Sequence, residues 1–114
     1  VDAPCSGTGT WRRNPEARWR LTRDRLDRLV ATQRQIMGLA ADLVRPGGAL
    51  VYVVCSVLDA EGADQVQAFL TAYPGWTAAP IALGTGSPRG AGLRLTPLSH
   101  STDGFFVAKM IRPW

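Results

Sequence analysis

Apolar positions along this chain fall into distinct spacings, and each predicts a different element. From Thr22 onward they recur at Leu26, Leu29, Val30, Ile36, Met37, Ala40, Leu43 and Val44, the period of a helix with one buried face. Thr22 is placed to cap that helix, because its hydroxyl can accept a first-turn N–H that has no partner within the helix; Arg45-Pro46-Gly47-Gly48 stops it. Ala49 to Val54 is instead a continuous apolar run, partly β-branched, as in a buried strand of a parallel sheet. A second helical spacing, Ala63, Val66, Phe69 and Leu70, predicts a helix that runs from an Asp59 cap to about Tyr73 and ends at Pro74-Gly75.

The remaining segments are shorter. Val1 to Pro4 reads as the end of a strand, and Cys5 to Thr10 as the turn leaving it. Asn14-Pro15 favours a further turn, Trp76 to Ile81 a weaker strand, and Gly84 to Gly92 a Gly- and Pro-containing loop. The Asp103-Gly104 turn introduces a final strand over Phe105 to Ile111. The order strand, helix, strand, helix, strand, strand is that of the second half of a doubly wound α/β domain, whose ligands sit at the carboxyl ends of the strands. Cys5 and Cys55 both fall at such ends. Strands joined by one right-handed crossover are often neighbours, ~4.8 Å apart, so the two cysteines are expected on the same side, at the ends of adjacent parallel strands.

Composition narrows the class. At 114 residues, 46% hydrophobic and 19% charged, the chain is expected to form one globular domain with a single core, and no apolar run approaches the ~20 residues of a membrane helix. Val1 begins directly in a motif without a basic and apolar leader, so no signal peptide is expected. Without a starting Met, the chain reads as the C-terminal part of something longer.

Charge adds a second feature. The net charge is +4, and Arg12, Arg13, Arg18, Arg20, Arg23, Arg25, Arg28 and Arg34 fall in one stretch with only Glu16, Asp24 and Asp27 against them. Guanidinium forks of this density suit phosphates, and Trp11 and Trp19 among them offer stacking surfaces. A solvated arginine-rich helix face is the other reading.

Several chemistries are open to the two thiols. Either cysteine can be a small buried hydrophobe. A disulfide lacks support from composition, since this is no cysteine-dense scaffold. Two thiols and a distant His100 do not make a zinc ligand set, so no metal is expected. The Gly7-Thr8-Gly9 and Gly84–Gly90 stretches both miss the dinucleotide-binding fingerprint.

Four stretches in order, "DAPCSGTGTWRRNP", a Gln with its apolar helix, "RPGGALVYVVCSVLDAEG" and "RLTPLSHSTDGFFVAKM", resemble the C-terminal portion of the bacterial Sun/Fmu, NOL1/NOP2 family of RNA cytosine carbon-5 methyltransferases. The similarity spans nearly the whole chain. It implies a Rossmann-like class I methyltransferase domain, mostly parallel with a terminal antiparallel strand, of which residues 1–114 form a part lacking the N-terminal cofactor-loop strands. The implied partner is RNA, expected to be 16S ribosomal RNA, the cofactor S-adenosylmethionine, and the location the cytoplasm. The resemblance implies that Cys55 is the nucleophile, that Cys5 assists product release, and that Asp2 lies between cofactor and base. Arg12, Arg13, Arg18 and Arg20 are then expected on RNA phosphates.

Two departures from the family pattern stand out: Val53-Val54 where the family has Thr directly before Cys-Ser, and Asp59-Ala60-Glu61-Gly62 where it has Glu-Glu-Asn, so that Glu61 keeps one acidic position and Gly62 replaces Asn. The missing cofactor loop makes the isolated chain inactive on this reading. A noncatalytic RNA-binding or assembly module, a transfer-RNA methyltransferase and a dithiol redox protein are the competing expectations.

Overall fold

A computed structural model of the protein describes residues 1–10, 21–96 and 103–114. Helix α1 covers Arg23–Leu43 and begins as its sequence dictates, with the Thr22 hydroxyl accepting the Arg25 N–H at 3.1 Å. Strand β1 is Ala49–Val54, α2 is Ala63–Ala72, and four further strands follow: β2 at Thr77–Ala79, β3 at Ser87–Arg89, β4 at Gly92–Leu95 and β5 at Phe105–Ile111.

The last strand in sequence is central in space. β5 pairs antiparallel with β1 along one edge, in the register Leu50–Met110, Tyr52–Ala108 and Val54–Phe106. Its other edge is shared by β4 near its start and β2 near its end, both antiparallel, and β3 pairs with β4. On the far edge of β1, Val1–Ala3 runs parallel, with the Val53 N–H donating to the Val1 carbonyl at 2.8 Å and the Ala3 N–H to the Val53 carbonyl at 3.0 Å. The expected α/β class and antiparallel terminal strand are present. Within the described residues the parallel part of the sheet is confined to this one pairing.

All six residues of those three β1–β5 pairs are buried and face α1 and α2, where they pack with Met37, Ala41, Val66 and Phe69. Each large apolar side chain removed from water in this way contributes roughly 1.5–3 kcal/mol. The opposite face of β1 is open at Val51, which is 41% exposed, so the strand alternates where its sequence predicted burial on both faces.

Three expectations need correction. Asp59 does not cap α2; the cap is Gly62, and the Asp59 carboxylate instead pairs with Arg89. Leu43 lies on the solvent side of α1, 87% exposed, while the polar Gln33 occupies its buried face. Gly84–Gly92 is not simply a loop, since it contains β3 and the start of a hairpin that turns at Gly90, whose φ of +58° is the left-handed geometry glycine permits. Among the described residues no helix is long and apolar enough to cross a membrane.

Candidate active site

Two turns leave the same end of the sheet. The first begins at Cys5, reverses at Gly7 with a φ of +75°, and closes at Thr8–Thr10, where the Thr10 N–H and hydroxyl donate to the Gly7 carbonyl at 2.9 and 2.8 Å. The second begins at Cys55, directly after β1. The turns are joined by backbone and side chain. The Gly9 N–H donates to the Cys55 carbonyl at 3.1 Å, Thr8 and Ser56 share a hydroxyl–hydroxyl bond of 3.0 Å, and the Val57 N–H donates to the Thr8 hydroxyl at 3.1 Å.

Because Val1–Ala3 and β1 are parallel neighbours, Cys5 and Cys55 emerge side by side. Neither cysteine is in a disulfide, and both are partly exposed. Burial pushes the Cys5 thiol up from its ordinary value; a backbone hydrogen bond with Gly7 opposes this, and the nearby Glu61 carboxylate adds to the rise. Asp2 lies at the same end, bridged to Val53 and exposed. Arg12, Arg13, Arg18, Arg20 and His100 lie outside the described residues.

Sequence reasoning missed the polar core beneath the two turns. Glu61 is completely buried, and four donors converge on its carboxylate: the Ser6 N–H at 2.8 Å, the Ser6 hydroxyl, Gln33 Nε2 at 2.9 Å and the Ser56 hydroxyl at 2.6 Å. Buried charge is tolerated only with such compensation. Gln33 also donates to the Pro4 carbonyl at 2.9 Å and accepts from Gln65 Nε2 at 3.0 Å. The Tyr52 hydroxyl donates to the Glu61 carbonyl at 2.6 Å, and burial, with Glu61 and Cys5 nearby, holds its phenol well above the usual tyrosine value. The signal that could have revealed this core is the repeated Cys-Ser pair, at 5–6 and 55–56, with a single acid shortly after the second.

The segment that enters β5 closes the site from the other side of the sequence. The Gly104 N–H donates to the Gly9 carbonyl at 2.7 Å, which brings Asp103-Gly104 against the first cysteine turn.

This arrangement coincides with one family model, described as 16S rRNA methyltransferase RsmB/F, which matches residues 1–111. The chain belongs to that family. Among curated relatives, ribosomal RNA small subunit methyltransferase B of Salmonella newport is 42% identical over 113 residues, covering 98% of this chain and 25% of its own length. The chain therefore spans about a quarter of the relatives it matches. Among solved structures, PH0851 superposes with a TM-score of 0.89 at 37% identity, over 96% of this chain and 25% of that one. NSun6 from Pyrococcus horikoshii, solved with SFG, gives 0.85 at 28% identity, over 98% of this chain and 29% of that one. The RsmB/F match includes both cysteine turns, the buried Glu61 and Asp103-Gly104.

Proposed function

We propose that the full-length protein containing this chain is an S-adenosylmethionine-dependent methyltransferase acting on carbon 5 of a cytosine in small-subunit ribosomal RNA, in the cytoplasm. Residues 1–114 are the C-terminal part of its catalytic domain. The observation that carries this reading is the joining of two cysteine turns above adjacent parallel strand ends in a chain of the RsmB/F family. SFG, an analogue of S-adenosylmethionine, in the related NSun6 structure supports the cofactor.

S-adenosylmethionine supplies a methyl group when bound. The residues present fit one flank of its site: Asp2 is an exposed carboxylate at the strand end where such a ligand sits, beside a sheet edge open for further strands. No other cofactor contact is assigned within this chain, and on this reading the chain alone is inactive.

Carbon 5 of cytosine is a poor nucleophile until something adds to carbon 6. The Cys55 thiolate forms a bond to carbon 6, and the ring gains enamine character at carbon 5. Asp2 hydrogen-bonds the ring during this attack. Once carbon 5 carries the methyl group, its proton must leave to a base; the electron pair restores the ring and the Cys55–carbon 6 bond breaks. Cys5 assists that last step. The base must be unstacked for carbon 6 to be reached, so single-stranded or loop RNA is the substrate. Arg12, Arg13, Arg18 and Arg20 hold its phosphates.

The test is transfer of labelled methyl from S-adenosylmethionine to 16S RNA by the full-length protein, with the product base identified by mass spectrometry. Label on cytosine carbon 5 with the wild type, and none with Cys55→Ser, is expected. No transfer by the wild type would favour the binding-module reading, and transfer to transfer RNA alone would overturn the ribosomal substrate.

A further inference from the structure

Glu61 is the common anchor of both turns. It holds the first through the N–H and hydroxyl of Ser6, the residue after Cys5, and the second through the hydroxyl of Ser56, the residue after Cys55. Gln33 ties the same carboxylate to α1, and through the Pro4 carbonyl to the residue before Cys5. Both serine hydroxyls are also engaged on their other side, Ser56 by the Leu58 N–H at 3.1 Å and Ser6 by the Thr8 N–H at 3.4 Å. A shift of the carboxylate therefore moves both turns together.

We infer that Glu61 is a positioning residue for the methyl-transfer reaction, locking the two cysteine turns at one separation through Ser6 and Ser56. The direction of the Cys5 shift agrees with this placement, Glu61 being the largest charged contributor to it. Among the described residues, the ionisable groups acting on Cys5 are Glu61 and Cys55, with Tyr52 coupled to Cys5 and Glu61 in turn. The inference rests on the proposed function for its effect on turnover. Its effect on thiol reactivity does not depend on that reading.

Two substitutions in the full-length protein separate charge from position. Glu61→Gln keeps the shape and can keep the contacts: its amide oxygen can face the Ser6 N–H and Gln33, while its amide nitrogen donates to the second lone pairs of the Ser6 and Ser56 hydroxyls, each of which already accepts one backbone N–H, and the Ser56 proton turns to Thr8 Oγ1. The charge is lost and the hydroxyl protons are redirected, with the heavy atoms kept in place. Glu61→Asp keeps the charge but withdraws the carboxylate by one methylene, so the serine bonds cannot all be made.

The readouts are the pH profile of Cys5 alkylation by iodoacetamide, followed residue by residue by mass spectrometry, and kcat and KM for RNA. Glu61→Gln should move the Cys5 profile to lower pH, so that alkylation near neutrality is roughly three- to tenfold faster. Glu61→Asp should lower kcat by roughly tenfold or more with little change in KM. A merely stabilising residue would lower the thermal midpoint in both variants and leave the Cys5 profile of the folded fraction unmoved; that result, or a folded Glu61→Asp enzyme with normal kcat, overturns the inference. Should Glu61→Gln fail to fold, Ser56→Ala replaces it, and a reduced kcat at unchanged KM is then required. If the wild type transfers no methyl group, the functional reading fails, but the Cys5 profile still decides the role of Glu61.

Discussion

Gly9 and Gly104 meet backbone to backbone: the Gly104 N–H donates to the Gly9 carbonyl at 2.7 Å, and a Cβ added at Gly9 would stand 1.9 Å from the Gly104 carbonyl oxygen. No rotamer change can relieve a clash with main chain. Gly9→Ala is therefore expected to destabilise the full-length protein by roughly 1–3 kcal/mol or more, read as a lower urea midpoint. Gly84→Ala is the comparison, since that position opens onto free space and carries only the strain of a φ of +73°, about 1 kcal/mol. Equal losses from the two would show that the Gly9–Gly104 contact does not constrain the fold.

The two thiols should respond differently to the same substitution. Cys55→Ser leaves a hydroxyl that is hardly ionised near neutral pH, so neither methylation nor a covalent complex with RNA is expected. Cys5→Ser should permit attack and methylation but slow elimination, so that enzyme joined to methylated RNA accumulates as a shifted band in denaturing electrophoresis. Free 5-methylcytosine released at the normal rate by Cys5→Ser would remove Cys5 from the release step. Trapping by Cys55→Ser instead would reverse the two assignments.

Gln33 is fully buried and bonded to Pro4, Glu61 and Gln65. Gln33→Leu fills much the same space but leaves those partners wanting, and the expected cost is roughly 1–3 kcal/mol in a denaturation midpoint. Gln67→Leu on the exposed side of α2 should stay within about 0.5 kcal/mol. A neutral Gln33→Leu would mean that the polar core can be replaced by apolar packing.

The Asp59–Arg89 pair ties the turn before α2 to β3 at the surface. Its hydrogen bond with Arg89 holds the Asp59 carboxyl below its ordinary value of 3.8, so the pair's contribution is present above about that pH and is lost as pH falls through the lowered folded value. Asp59→Asn should therefore lower the thermal midpoint slightly at neutral pH, with the difference shrinking in strong acid and in high salt. A difference that persisted in both conditions would point to something other than the ion pair.

Charge removal at Arg12, Arg13, Arg18 and Arg20 in the full-length protein is expected to weaken RNA binding and flatten its dependence on salt concentration. Unchanged affinity with an unchanged salt slope would return these residues to a solvated surface.

What was legible in the sequence was whatever apolar spacing controls. Thr22 and the periodic residues after it specified α1, and the runs at 49–54 and 105–111 specified two strands; Cys5 and Cys55 are neighbours because Val1–Ala3, bridged to β1 at Asp2 and Val53, leads into one and β1 into the other. The buried polar core escaped because Gln33, Glu61 and Gln65 have the residue types of a surface, and only their mutual bonds allow them inside. Asp59 was misread for a related reason: a carboxylate before a helix suits a cap, but here a guanidinium on β3 competes for it. The β3–β4 hairpin escaped because its strands are three and four residues long and rich in Gly, Pro and Arg, so the pairing of β4 with β5 and of β3 with β4, not side-chain pattern, makes them strands.

The central position of β5 has a consequence for the order in which this region can be built during synthesis. β1, β2 and β4 each find their partner in Phe105–Ile111, which the ribosome delivers after all of them. Until then the helices have only half of the apolar surface they will cover, because Phe106, Ala108 and Met110 are not yet there to complete it. Completion of this part of the sheet is thus held back until Phe105–Ile111 has been translated, and until then the β5-facing edges of β1, β2 and β4 lack their partner.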